Sequence, residues 1–209
     1  MQRLETENDL KAAVAQLAAI EPRFGPIVEH HGLPPLRHAA SGLGSLLRIV
    51  TDQLISLKAG EAIWSRLATC IGGFAPQEVL KLSEPELRAL GLSGAKARTF
   101  RAAAAAFAEG WFDDTHTMGE DELQRRLLDI PGVGPWTASI YLLTAARAAD
   151  AWPAPDLALQ VAAQDLFGMV DRPSSRVMVE LGAPWRPNRS VAALLLWQHY
   201  RVLRGRSIV

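Results

Sequence analysis

The sequence predicts an all-α protein, on three observations. Apolar residues return at three- and four-residue steps along most of the 209-residue chain, which is the period of one face of a helix. No run keeps the strict alternation of a half-buried strand. The breaks between periodic runs carry helix punctuation, with serine or aspartate before a run and glycine or proline after it.

The elements follow in order. Leu10, Val14, Leu17 and Ile20 mark a first helix. The stretch LGSLLRIVTDQLIS, residues 43–56, repeats the pattern with Leu43, Leu46, Leu47, Val50 and Leu54. It reads as helical to its end, with 53-QLIS-56 on the helix. Residues 57–71 form the next helix, stopped by Gly72 and Gly73. Ser83 and Glu86 stand at capping-box spacing before a short helix that ends at Gly91. Ser93 can cap an alanine-rich helix reaching about Glu109, whose run 102–106 suits a close-packed face. Further helical runs are expected from about Glu120 to Asp129, then over 136–149, 157–167, 174–182 and 188–203.

Hydrophobic residues make up 49% of the chain, enough to bury a real core. Lys+Arg and Asp+Glu are equal at 22 each, so the overall charge announces no partner. The single cysteine, Cys70, excludes a disulfide framework, a four-cysteine zinc site and a four-cysteine iron–sulfur cluster. It also points to a reducing cytoplasm. The polar, acidic start MQRLETENDL has no apolar core of a signal peptide, and no apolar run is long enough to span a membrane. His30-His31 has no third ligand at recognisable spacing. The charge is uneven, however. From Asp171 onward the arginines 172, 176, 186, 189, 201, 204 and 206 face only Asp171 and Glu180, so 7 − 2 = +5. Such an end fits either a phosphate partner or an ordinary solvated surface.

The stretch 130-IPGVGPWTASIY-141 carries the most information. A glycine costs about 1 kcal/mol inside a helix, so Gly132 and Gly134 mark a sharp connection. The amides of Gly132, Val133 and Gly134 lie uncovered by large side chains, just before a helix opened by Pro135. Amides gathered at a helix N-terminus can hold an anion without any lysine. The same residues would also serve a plain tight turn between packed helices.

The stretch 127-LLDIPGVGPWTA-138 resembles a helix-hairpin-helix element. With it come 53-QLIS-56 followed by Lys58, 91-GLSGAKAR-98, 152-WPAPDLALQVAA-163 and 185-WRPNRSVAALLLW-197, in that order. The chain from roughly residue 43 to residue 198 thereby resembles the helix-hairpin-helix DNA glycosylase superfamily, and within it the AlkA-like 3-methyladenine DNA glycosylase II branch. The resemblance implies a two-lobed helical fold with a DNA cleft between the lobes. One lobe spans 43–149 and holds the hairpin at about 120–145; the second joins 1–42 to 150–209.

The resemblance also implies roles. Leu54 becomes the wedge that fills the gap left by an extruded nucleotide. Gln53, Ser56, Gly132, Val133, Gly134, Thr137 and Arg189 become contacts to the DNA backbone. Carbonyls of Leu128, Ile130 and Val133 could hold Na+ or K+ at the hairpin, with no other cofactor required and no iron–sulfur cluster. Relatives place the catalytic aspartate twenty residues after the hairpin's aromatic residue, and 156 − 136 = 20 selects Asp156. Many relatives have two consecutive acids there; this chain has Pro155-Asp156 and keeps the second, which is the catalytic one.

Asp156 also reads as the N-cap of the run Leu157–Phe167, and the helix dipole favours a negative charge at that place. An ionised carboxylate could stabilise the positive sugar as a base departs, and orient or deprotonate the attacking water. Trp136, Trp197 and Tyr141 are the candidate base pocket, since a base recovers about 1–3 kcal/mol by stacking on an aromatic ring and rings attract cationic alkylated purines. Relatives have a tyrosine four residues after the hairpin tryptophan; here that position is Ile140, and Tyr141 is one further on.

Lyase-competent relatives carry a lysine where this chain has Trp136, and no lysine follows Lys96. The expected activity is therefore a monofunctional N-glycosylase: hydrolysis of the bond between an alkylated purine and deoxyribose in double-stranded DNA by base flipping, with no lyase step, opening base excision repair. The expected partner is duplex DNA containing a damaged base. The expected state is a cytoplasmic monomer, nucleoid-associated if the source is bacterial. The alternative is a non-catalytic helix-hairpin-helix module that only binds DNA.

Overall fold

The computed structural model describes residues 1–115 and 117–205; Arg206, the last arginine of the basic end, lies outside them. Helices α1 (Glu7–Ile20), α2 (Gly25–His31), α3 (Leu43–Asp52), α4 (Leu57–Ile71), α5 (Pro76–Lys81), α6 (Glu84–Ala89), α7 (Gly94–Ala108), α8 (Glu120–Leu128), α9 (Pro135–Thr144), α10 (Leu157–Leu166), α11 (Ser175–Gly182) and α12 (Arg189–Leu203) follow in chain order. Among the described residues there is no strand, only an isolated antiparallel bridge between Arg3 and Ala148. No helix among them is long and apolar enough to cross a membrane. The all-α expectation holds.

The chain divides into two compact units: Ala39–Ala146, and Met1–His38 joined with Arg147–Val209. In the first, the alanine-rich α7 is the central element. Ala97, Ala103, Ala104 and Ala106 are buried, and their small side chains let α3 and α5 pack against α7 at close range. Leu43, Leu46, Leu47 and Val50 fill the facing side of α3. The expected capping box forms, with Ser83 accepting from Glu86 N–H and Glu86 returning to the Ser83 backbone. Ser93 caps α7 through Lys96 N–H, and Gly72 ends α4 in a left-handed conformation.

In the second unit α12 is the spine, with α1, α2 and α10 packed on it. Trp185 is 2% exposed and lies amid Phe24 at 5.2 Å, Trp152 at 5.4 Å and Phe167 at 5.8 Å between ring centroids. Edge-to-face and offset contacts of this kind add about 0.5–1.5 kcal/mol each beyond area burial.

Two expected helices end early. Residues 43–56 are not one helix: α3 stops at Asp52, and Gln53–Ser56 form the connection to α4, with Leu54 at φ 55. The expected helix 136–149 ends at Thr144, and Arg147 turns to φ 58. The alanine-rich helix runs as expected, with Glu109 as its C-cap and Gly110 beyond it.

Candidate functional site

In the unit 39–146 the hairpin joins α8 to α9. Ile130 and Val133 bury their side chains, at 1% and 5% exposure, and anchor the turn to the core. Gly132 has φ +88, and a Cβ there would collide with Thr99 Oγ1 and lie 3.0 Å from Thr99 Cβ. Only glycine fits that place, for both reasons. Gly134 differs: its φ is −97, and a Cβ would meet nothing within 4 Å. Gly134 is the N-cap of α9 and supplies no side chain to the first amides of that helix, with Pro135 at N1. Its smallness leaves the helix N-terminus open to an approaching anion.

Val133 requires a correction. Its N–H donates to Ile130 O at 3.0 Å and closes the turn, so it is occupied and not offered to a phosphate. Thr137 also changes role. It is 2% exposed, and its Oγ1 accepts from Gln53 Nε2 at 2.7 Å. Rather than touching a ligand, the Thr137 side chain fixes Gln53, and Gln53 is turned inward to meet it. Tyr141 leaves the pocket altogether. It is 2% exposed, its hydroxyl accepts from Gly42 N–H at 3.1 Å, and burial raises its pKa against the opposing Gly42 hydrogen bond. One residue of helical offset turns a side chain by about 100°, which is how Tyr141 comes to face the core. Trp136, in the first turn of α9, is half-buried.

The α3–α4 connection places Leu54 at 104% exposure, beside exposed Ile55 and Leu57. A bulky residue at positive φ costs about 1–2 kcal/mol, and this leucine gains no burial in return. Ser56 caps α4 by accepting from Ala59 N–H at 3.2 Å and remains exposed. Asp52 precedes the turn, and Arg48 Nε donates to it at 2.8 Å. A Cβ on Gly60 would collide with Asp52 Oδ1.

In the unit built from both ends of the chain, Asp156 is the N-cap of α10. Its Oδ1 accepts from Leu159 N–H at 3.1 Å and from Trp197 Nε1–H at 3.1 Å. An indole N–H only donates, so Trp197 and the carboxylate hold each other in place. The approach to Asp156 is clamped. Ser190 Oγ donates to Ala148 O at 2.6 Å and accepts from Ala151 N–H at 2.9 Å. Trp152 Nε1 donates to Met178 O at 2.8 Å.

Arg189, expected at the DNA backbone, is paired within this clamp. Its Nε and Nη2 donate to Asp150 Oδ1 and Oδ2 at 2.8 Å each, and both side chains are 14% exposed. A bidentate pair this buried is spent on structure. Asp150 was not singled out in the sequence, since nothing local to it signals a partner 39 residues on. Lys96, inside 91-GLSGAKAR-98, carries no site role that the sequence marks. The available signal was a cation in the first turn of a helix, where the dipole disfavours it.

Among the described residues no three His, Cys, Asp or Glu side chains gather to hold a metal. The carbonyls of Leu128, Ile130 and Val133 are neutral oxygen donors around the C-terminus of α8, where the dipole favours a cation. That donor set suits a hard monovalent ion, although Ile130 O already accepts one N–H.

A family profile described as the HhH-GPD superfamily base excision DNA repair protein matches residues 47–187. The chain belongs to the HhH-GPD superfamily. It is 26% identical over 206 residues to the alkylbase DNA glycosidase-like protein mag2 of Schizosaccharomyces pombe, covering 93% of this chain and 96% of that one. It is 28% identical to DNA-3-methyladenine glycosylase 1 of the same yeast, covering 73% and 70% respectively. Among solved structures, the S. pombe 3-methyladenine DNA glycosylase Mag1 in complex with abasic DNA superposes with a TM-score of 0.81, at 23% identity, over 90% of this chain and 95% of that one. The HhH-GPD fold is thus matched across nearly the whole chain.

Gly134→Ala in this HhH-GPD protein separates fold from ligand. Its open surroundings predict a stability loss below about 1 kcal/mol. The added methyl would nevertheless stand over the α9 amides, so affinity for a DNA duplex is expected to fall about tenfold. Thermal melting and fluorescence-anisotropy titration check the two halves.

Proposed function

We propose that this protein is a monofunctional DNA N-glycosylase that releases alkylated purines of the 3-methyladenine type from duplex DNA. The observation that carries the reading is Asp156, fixed at the N-terminus of α10 and held by the Trp197 indole; the motif spacing in the sequence supports it as the catalytic aspartate. The names of the related glycosylases support the substrate class.

The unit 39–146 supplies the hold on DNA. The open N-terminus of α9 at Gly134 takes a backbone phosphate. Leu54 enters the duplex where the damaged nucleotide has left the stack. Trp197, which donates to Asp156, is the ring face proposed for the extruded base. A monovalent cation held by the hairpin carbonyls of Leu128, Ile130 and Val133 would add positive charge facing a phosphate.

The unit carrying Asp156 supplies the chemistry. As the glycosidic bond stretches, positive charge grows on the deoxyribose, and the Asp156 carboxylate stabilises it. The Leu159 and Trp197 N–H groups fix the direction of that carboxylate. Asp156 then orients the attacking water and takes its proton. A cationic alkylated purine leaves as a neutral base, so no separate acid is needed.

No lysine follows Lys96 in the sequence, and the hairpin position of a Schiff-base lysine is Trp136. The strand is therefore expected to stay intact. A labelled oligonucleotide carrying one alkylated purine should gain an abasic site that breaks only on alkali treatment. Borohydride should trap no covalent complex; strand cleavage without alkali, or a trapped complex, would sink the monofunctional reading.

A further inference from the structure

Lys96 sits in the first turn of α7, where the helix dipole disfavours a cation. Its ammonium nevertheless donates to two backbone carbonyls, Thr51 O at 2.8 Å and Gln53 O at 2.8 Å. These belong to the last turn and the C-cap of α3, where carbonyl groups lack helical partners and the dipole favours a cation. Burial lowers the Lys96 pKa while Asp52 opposes the shift, as expected of an ammonium drawn out of water onto these oxygens.

The residue after Gln53 is Leu54, at φ 55 and 104% exposed. A left-handed leucine in water has nothing of its own to keep it there, so its neighbours must. Gln53 is held twice, through its carbonyl by Lys96 and through its amide by Thr137. The same helix α7 carries Thr99, which lies against Gly132 of the hairpin. One helix thus braces both the turn that shows Leu54 and the turn that offers amides.

We infer that Lys96 is a positioning residue for strand entry: by bridging the carbonyls of Thr51 and Gln53 it sets the turn that presents Leu54 to the duplex. The inference rests on the proposed role of Leu54 as the wedge. It requires no contact between Lys96 and DNA, so the lysine acts on duplex opening and not on phosphate binding.

The test reads insertion directly and needs no catalysis. A duplex carries a tetrahydrofuran abasic-site analogue with 2-aminopurine beside it, and fluorescence is measured at saturating protein. Wild type should raise the signal by unstacking the 2-aminopurine, and Leu54→Ala should abolish the rise. Lys96→Met should cut the rise at least fivefold, and Lys96→Arg, which keeps donors and charge, should restore at least half of it. In the Leu54→Ala background, Lys96→Met should change nothing further, because the two residues act in one step.

Circular dichroism first establishes that each variant is folded. Should Lys96→Met lose its fold, Lys96→Gln carries the same comparison. A full rise in Lys96→Met with the rise lost in Leu54→Ala would overturn the inference and leave the wedge standing. A full rise in Leu54→Ala would overturn the wedge itself, and the inference with it.

Discussion

Asp156→Asn is expected to lower base release by about 10²–10³-fold, the range seen when a preorganised electrostatic partner of a transition state is removed. The substitution is nearly isosteric. The asparagine carbonyl oxygen can still accept from Leu159 N–H and Trp197 Nε1–H, and asparagine is as good an N-cap as aspartate. The fold and the place of the side chain should therefore survive while the charge is lost. Duplex affinity should stay within about threefold, because the hairpin proposed to hold the backbone lies on the other unit of the chain. Single-turnover release and anisotropy binding on the same preparation check this. An unfolded or non-binding Asp156→Asn protein would mean that the residue's contribution is structural.

Gly132→Ala should be the most damaging single methyl in the hairpin. The backbone stands at φ +88, and the new Cβ runs into Thr99. The left-handed conformation costs about 1–2 kcal/mol for alanine, and overpacking a filled site costs about 1–3 kcal/mol. A loss of about 3 kcal/mol is expected, which for a chain of this size is a drop of roughly 6–12 °C in Tm. Thr99→Ala in the same protein removes the collision but not the backbone cost, so it should recover part of the loss and not all. Full recovery, or no loss from Gly132→Ala at all, would show that the turn is looser than its geometry indicates. Gly134→Ala two residues away should leave stability almost unchanged, although a sequence reading treats the two glycines alike.

The hairpin shows what was legible. The paired glycines, Pro135 and the start of a helix were readable because turn chemistry is local. So was Asp156 as an N-cap, since capping involves residues three apart in sequence. Which amide of the turn is occupied was not readable, and Val133 N–H proves to be spent on Ile130. Leu54 was read as helical because an apolar residue in a turn can fall in phase with the helix before it. Only the backbone reveals that the leucine has left the helix. The partners of Arg189 and Lys96 were not legible, for a shared reason. Each finds its partners through tertiary contacts, at Asp150 and at the Thr51 and Gln53 carbonyls, and no local pattern encodes such pairings. The short helices α2 and α5, of 7 and 6 residues, are too brief to show a hydrophobic period; a proline in the first turn of each, and Gly32 after α2, were the marks they carried.

The most direct test of the account is chromatography of free bases after incubating the wild-type protein with methylated duplex DNA, with duplex binding measured alongside. The account predicts release of free methylated purine, 3-methyladenine foremost, from DNA whose strands remain uncut. Binding of the duplex with no free base from any alkylated substrate would contradict it, and would leave a helix-hairpin-helix protein that holds DNA without acting on it.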